Sequence, residues 1–355
     1  MHALLYFEKL DLYSGAAQLM RMQAVGLRAR GVPTVIAAKR GGLRFFLATG
    51  IRVRTADAAK ARGMRTRDTI LVDHNMALPD ADLVFVHNLA SEANRYLPVP
   101  DLVRAAEEGE FFRRLGASTR VVANSALVRA ALAEHFGIRN ERVTVHHPGY
   151  QTARFAAEAR PTLRANARRH LQLADGVPLV GFVTSGNFAK RGLDLFLGAA
   201  GQISAALPEV HFLVVGARNI PPEIANHALL ASGRLVYRAK NHHPERWMAA
   251  LDVFLYPARF EEFGMVVLEA AALGVPVLTS RRVGAAECLP PEYAPWLIAE
   301  PNPQDFAVNS MRLLEDGATR LRLGTAGALA ARDYDDGRYS AATADTILAQ
   351  KRLLK

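Results

Sequence analysis

The chain has 355 residues, half of them apolar and 22% charged, with a formal net charge of +10 and one cysteine, Cys288. That length carries two domains of ordinary size, the balance fits a folded protein, and a lone cysteine excludes an internal disulfide or a cysteine metal cluster. No apolar run reaches the ~18 residues of a membrane-spanning helix, and the start lacks the basic and apolar regions of a signal peptide, so a cytoplasmic protein is expected.

Residues 2–7 are apolar and β-prone, and Ser14-Gly15 then sits on a strand-to-helix turn, where small residues let a ligand approach the backbone. A helical pattern through Leu19, Met22, Val25 and Leu27 ends at Gly31, and the next strand is 32–38. The charge is uneven, with +7 on residues 1–150 and +3 on the rest. Between Lys39 and Arg67 nine basic residues meet one acidic residue, Asp57. This stretch suits a phosphorylated glycolipid or an anionic membrane surface; without an aromatic-rich RNA-binding motif or zinc finger beside it, nucleic acid fits least.

The buried strand 83–86 delivers His87 and Asn88 to its carboxyl end, where open α/β sheets place ligand groups. His87 is there either to meet a ligand hydroxyl or to cap local structure. A helix over 101–115 carries Glu107, Glu108 and Glu110, a strand 121–125 follows, and the helix 126–136 stops at Gly137. The strand from Arg142 ends in His147-Pro148-Gly149, and the polar, arginine-rich residues 151–169 mark a domain boundary. Beyond it come the strand 179–183, a loop carrying Lys190 and Arg191, the helix 193–205, and strands at 210–216 and 234–239. A basic pair on a strand-to-helix loop can neutralise a diphosphate. Asn241-His242-His243 lacks metal-ligand spacing, and no metal is expected. Helices fill the remainder, with terminal ones over 333–355.

Residues 252–279 form the most informative stretch. An apolar strand, 253–256, stops at Pro257; a loop carries Glu261 and Glu262; a helix runs from about Phe263 to Leu273; Gly274 and Pro276 end it before the strand 277–279. This is the strand-helix-strand grammar of a parallel sheet, so the class is α/β. The first amides of a helix lack internal partners and carry the positive end of its dipole, so a phosphate can dock near Gly264. Glu261 then stands on one side of it and Glu269, about two turns along, on the other.

Glu261 and Glu269 at this spacing, with Phe263-Gly264 between them and Gly274-Val275-Pro276-Val277 after, resemble the donor-sugar motif of the retaining family 4 glycosyltransferases of GT-B fold. The loop Gly186-Asn-Phe-Ala-Lys-Arg-Gly192 is most similar to that of the lipopolysaccharide core glucosyltransferases, although Arg191 occupies the position of the usual Lys and Gly186 that of the usual Arg. The resemblance implies two Rossmann-like domains with parallel sheets facing across a cleft: an acceptor-binding domain over 1–150, a nucleotide-sugar domain over 151–335, and a terminal helix, 336–355, crossing back to the first. It implies that Glu269 binds the ribose and Glu261 the transferred sugar. The amides of Gly264, Met265 and Val266 would hold the diphosphate, with Lys190 and Arg191 as its clamp. Arg238 would lie near the base, while Gly15 would face donor and acceptor and His87 the acceptor. The donor implied is a UDP-sugar, with a GDP-sugar possible and no other cofactor, and the acceptor an envelope glycan or glycolipid, met at the inner face of the membrane. A mannosyl or other hexosyl transfer to a small or exopolysaccharide acceptor, or a noncatalytic scaffold binding anionic surfaces, are the alternatives. Oligomeric state is left open.

Overall fold

The computed structural model describes residues 1–11 and 14–353. Leu12 and Tyr13, in the turn before Gly15, and Leu354 and Lys355, in the expected terminal helix, lie outside the described residues, as does the side chain of Ala48. The chain divides into two units: Met1–Arg95, Val99–Gly149 and Tyr334–Lys355 in the first, and Tyr96–Pro98 with Tyr150–Asp333 in the second.

The first unit is a seven-stranded sheet of β1 (His2–Lys9), β2 (Thr34–Arg40), β3 (Val53–Thr55), β4 (Thr69–Asp73), β5 (Leu83–Val86), β6 (Arg120–Ala123) and β7 (Val143–Val145). All pairs are parallel and the order is β3-β2-β1-β4-β5-β6-β7. The central residues of β1, β2, β4 and β5 are apolar and buried because both faces are covered, while the edge strand β3 leaves Arg54 and Thr55 exposed. Successive side chains alternate, so Leu5, Ile70, Val72 and Phe85 join one core while Leu4, Leu71, Val84 and Val121 join the other. The final helix, Asp336–Leu353, packs on the first, Gly15–Ala29, where Gln23 donates to the Tyr339 hydroxyl at 3.1 Å and Arg30 pairs with Asp345 at 2.7 Å.

The second unit has β8 (Leu179–Val183), β9 (His211–Gly216), β10 (Leu235–Ala239), β11 (Val253–Tyr256), β12 (Val277–Ser280) and β13 (Leu297–Ile298), all parallel in the order β10-β9-β8-β11-β12-β13. In each sheet the winding direction reverses once, between β1 and β4 in the first and between β8 and β11 in the second. Connections leave to opposite faces at such a point and open a crevice at the carboxyl ends of the two strands.

Three segments differ from the sequence reading. The basic stretch 39–67 contains a helix, Gly42–Thr49, and the edge strand β3. β4 also went unassigned, although all five of its residues are buried, since a run of five beside so much charge gives little periodic signal. Residues 151–169, expected only as a polar boundary, hold most of a helix, Arg160–Leu171. Its arginines face inward at helical spacing: Arg160 donates to Leu251 O at 2.8 Å, Arg164 to Asp252 at 2.8 Å and Arg168 to Ala250 O at 3.1 Å. They satisfy carbonyls at the turn before β11 and lock this helix to the second sheet.

Candidate active site

The loops after β8 and β11 leave the switch point of the second sheet side by side. Gly192 makes this possible, because its φ is +74° and a Cβ there would lie 2.1 Å from the carbonyl oxygen of Pro257. The two loops are further tied by the Arg259 amide donating to Lys190 O at 3.0 Å. Lys190 and Arg191 thereby meet Glu261 and Glu262.

Two ion pairs result. Lys190 Nζ lies 2.5 Å from Glu262 Oε2, with side chains only 9% and 2% exposed, and it also rests over the Phe260 ring. Arg191 Nε lies 2.9 Å from Glu261 Oε2, while its Nη1 donates to both Thr184 Oγ1 at 2.9 Å and Gly186 O at 2.6 Å. The Tyr256 hydroxyl donates to the same Glu261 oxygen at 3.2 Å. Burial alone would raise the Glu261 carboxyl, but Arg191 and Lys190 overcome it and hold the group well below the usual carboxylate range. Burial likewise disfavours charge on Arg191, yet Glu261 holds the guanidinium above its ordinary value. Tyr256 is pushed well up by burial and then by Glu261, so its hydroxyl keeps its proton and stays a donor. The edge is a compact cluster in which Glu261 and Arg191 hold each other charged.

The helix expected from Phe263 to Leu273 spans Met265–Ala272. Gly264 precedes it in the left-handed region, φ +84°, and a Cβ there would come within 3.0 Å of Val283 and 3.2 Å of the Glu261 side chain. No side chain caps this end, and among the described residues the amides of Gly264, Met265 and Val266 donate to no group. Glu269 is half-buried on the helix and makes no hydrogen bond or ion pair among the described residues. Burial pushes its carboxyl up to about 7, with Arg154 pulling down and Glu245 pushing up less strongly. Gly284–Cys288, a 3-10 turn, closes the far side: Gly284 N donates to Glu261 O at 3.0 Å and Ala285 N to Phe263 O at 2.7 Å. Arg238, on β10, lies 6.0 Å over the Trp247 ring, and Lys240 just beyond it reaches Ser185 O at 2.9 Å.

In the first unit Gly15 begins the helix after β1 and His87 follows β5, both at the carboxyl edge of that sheet. His87 Nε2 meets His74 Nδ1 at 2.9 Å, and the two rings stack at 5.2 Å. Burial lowers His87 to about 4 and holds His74 well below its ordinary value, so both rings are neutral at physiological pH. Asp73, next to His74, accepts from the amides of Asn75, Ala77 and Leu78 and pins the loop.

Residues 177–316 match the family model described as glycosyl transferases group 1. This segment is a group 1 glycosyltransferase domain. It contains Lys190, Arg191, Arg238, Glu261, Gly264 and Glu269, which the fold gathers along the carboxyl edge of one sheet. The chain is 27% identical to the D-inositol 3-phosphate glycosyltransferase of Arthrobacter sp. (strain FB24) over 74% of its own length and 64% of that protein's, so it spans less than two thirds of that relative. It is 28% identical to the lipopolysaccharide glucosyltransferase WaaG of Escherichia coli (strain K12), covering 72% of this chain and 68% of WaaG. The crystal structure of Anabaena Alr3699/HepE in complex with UDP and glucose superposes with a TM-score of 0.79 at 18% identity, over 98% of this chain and all of that one. The two-sheet architecture is thus the GT-B fold expected from the motif.

Sequence reasoning named Glu262 without a role and passed over Tyr256, Thr184 and His74. Adjacent side chains on a loop have no fixed spacing to betray a pair seventy residues away. His74 was hidden with β4, whose end it marks.

Proposed function

We propose that the group 1 domain binds a nucleotide-sugar donor and that the protein is a retaining hexosyltransferase, moving glucose or another hexose to a cell-envelope glycan or glycolipid such as lipopolysaccharide core. The single observation carrying this reading is the pairing of a buried cation cluster, Lys190 and Arg191, with an uncapped helix start at Gly264, at the switch point of one sheet. A diphosphate is the ligand that needs both: its oxygens accept from free amides and meet the guanidinium.

In transfer the bond between the anomeric carbon and the diphosphate oxygen breaks, and the electron pair stays on the phosphate. Arg191, half-buried and already charged, stabilises that growing charge, and Lys190, deeper and held by Glu262, adds to the positive field. Glu261 accepts from sugar hydroxyls and Glu269 from the ribose; its unsatisfied carboxylate is suited to a neutral diol. Neutral His87 orients the acceptor hydroxyl, whose oxygen bonds to the anomeric carbon while its proton passes to the departing phosphate oxygen. Glu261 and Glu269 bind donor hydroxyls and neither is the nucleophile. UDP-glucose is favoured over a GDP-sugar by the likeness to WaaG and HepE. The place of action is the inner face of the cytoplasmic membrane. A small soluble acceptor is the second reading, favoured by the likeness to D-inositol 3-phosphate glycosyltransferases.

Thermal unfolding with UDP, GDP and ADP tests the donor. A ligand at about one hundred times its Kd adds about 2.7 kcal/mol of stability. UDP is expected to give the largest shift, Arg191→Ala to remove it, and that variant to lose ~10²- to 10³-fold in turnover. Equal shifts in the variant and the parent, or none with any nucleotide, would sink the assignment.

A further inference from the structure

Helix Gly42–Thr49 buries only one of its large side chains completely: Phe45 is wholly inside the first unit's core, while Leu43 is 73%, Phe46 45% and Leu47 74% exposed. Three large apolar groups at successive helical positions toward water lose free energy in solution unless something covers them. Left-handed glycines, Gly41 and Gly50, bound the helix at both ends. Gly41 lies against the Leu10 carbonyl, so the helix starts at the carboxyl edge of β1 and β2, the edge that also carries Gly15 and His87.

The charge of the helix and its flanks is mainly cationic, although Lys39 has the exposed Glu8 as a partner at 3.6 Å. No Asp or Glu occurs between residues 12 and 56, whereas Lys39, Arg40, Arg44, Arg52 and Arg54 are all exposed on or beside the helix. A second exposed apolar group in the same unit, Val99, Leu102 and Val103, makes a useful contrast. Its helix, Leu102–Arg113, carries Glu107 and Glu110 exposed and is capped by Asp101. Its cations Arg104 and Arg113 are matched by Glu107 and Glu110, so the apolar groups there lack an unbalanced cationic surround.

We propose that the Gly42–Thr49 helix docks on an anionic phospholipid bilayer, with Leu43, Phe46 and Leu47 entering the headgroup and acyl boundary and Arg40, Arg44, Arg52 and Arg54 meeting lipid phosphates. An anionic bilayer is the occupant with both an apolar interior for the leucines and a negative surface for the arginines. Nucleic acid satisfies the charge alone and leaves the apolar groups in water. The reading of a glycolipid acceptor supplies the purpose of such docking, since it would bring the first sheet's carboxyl edge to the membrane plane; the binding itself stands apart from that reading.

Co-sedimentation of the whole protein with vesicles of phosphatidylcholine, with and without phosphatidylglycerol, tests the docking. The parent is expected to bind the anionic vesicles and to be released by salt. Leu43→Ser/Phe46→Ser/Leu47→Ser and, separately, Arg44→Glu/Arg54→Glu should each lower the partition by at least ~10-fold, with thermal midpoint and nucleotide shift unchanged. Leu102→Ser/Val103→Ser should bind as the parent does. Undiminished binding by the triple-serine variant, a loss equal in the Leu102→Ser/Val103→Ser variant, or binding to RNA but not to vesicles would each overturn the proposal. Loss of vesicle binding with an intact UDP shift separates this surface from the donor site.

Discussion

The carboxyl edges of the two sheets are built alike and charged differently. In the second unit the switch point holds Lys190, Arg191, Glu261 and Glu262 as two ion pairs. In the first the equivalent edge holds a stacked pair of histidines, His74 and His87, kept neutral by burial. One topology thus supports either an anion-stabilising site or an uncharged hydrogen-bonding one, and the choice lies in the loops. It also shows what a carboxylate does for a buried cationic group: Glu261 holds Arg191 above its ordinary value, whereas burial and the neighbouring His87 hold His74 well below its own.

The contrast breaks most visibly at Lys190. Replacing it by Met removes the ammonium from beside the Glu262 carboxyl, which is 2% exposed, an expected loss of ~3–5 kcal/mol in denaturant unfolding. Lys190→Met/Glu262→Met should regain most of that, since a well-packed apolar pair replaces both charges. If the single variant unfolds at the parent's denaturant concentration, the pair is not a buried charge pair at all.

Glu269 sharpens the comparison, because its carboxyl is raised by burial where that of Glu261 is lowered by its cations. Its folded value of about 7 lies above the ordinary 4.5, so the stability of the neutral form is fully present below pH 4.5 and lost as pH rises through 7. By pH 8 the parent should have lost up to about 3 kcal/mol that Glu269→Gln keeps. Unfolding by urea at pH 5 and pH 8 measures it; parallel behaviour of the two proteins would show that the carboxyl is solvated. Where the glutamate binds ribose, UDP should narrow that gap.

The smallest effect belongs to the neutral edge. With His87 uncharged above about pH 5, its loss in His87→Gln should cost ~10-fold or less in turnover, the worth of a neutral hydrogen bond, and leave the rate profile between pH 5 and 8 unmoved. A loss of ~10²-fold or more with a displaced profile would make His87 a proton carrier instead.

Much of this was legible before any coordinates. The strands 83–86, 179–183 and 253–256 and the helix 126–136 stand where apolar runs, caps and glycines put them. The whole stretch 252–279, with its strand, Pro257, both glutamates, Phe263-Gly264 and the Gly274-Val275-Pro276-Val277 stop, singled out the motif. The arginines of residues 160–168 were not legible as structure, because their inward face contains guanidinium groups, and a polarity pattern assigns those to water. Nor were the partners of Lys190 and Arg191, since nothing in a linear spacing says which of two neighbouring carboxylates each will meet.

Local chemistry, then, determined the elements: hydrophobic period, glycine and proline stops, and the amide-rich helix start are properties of a few neighbouring residues. The charge state of the site was decided only when β8 and β11 became neighbours and Gly192 let their loops touch. Desolvation and Coulomb attraction depend on distances between groups far apart in the chain, and those distances exist only in the folded protein.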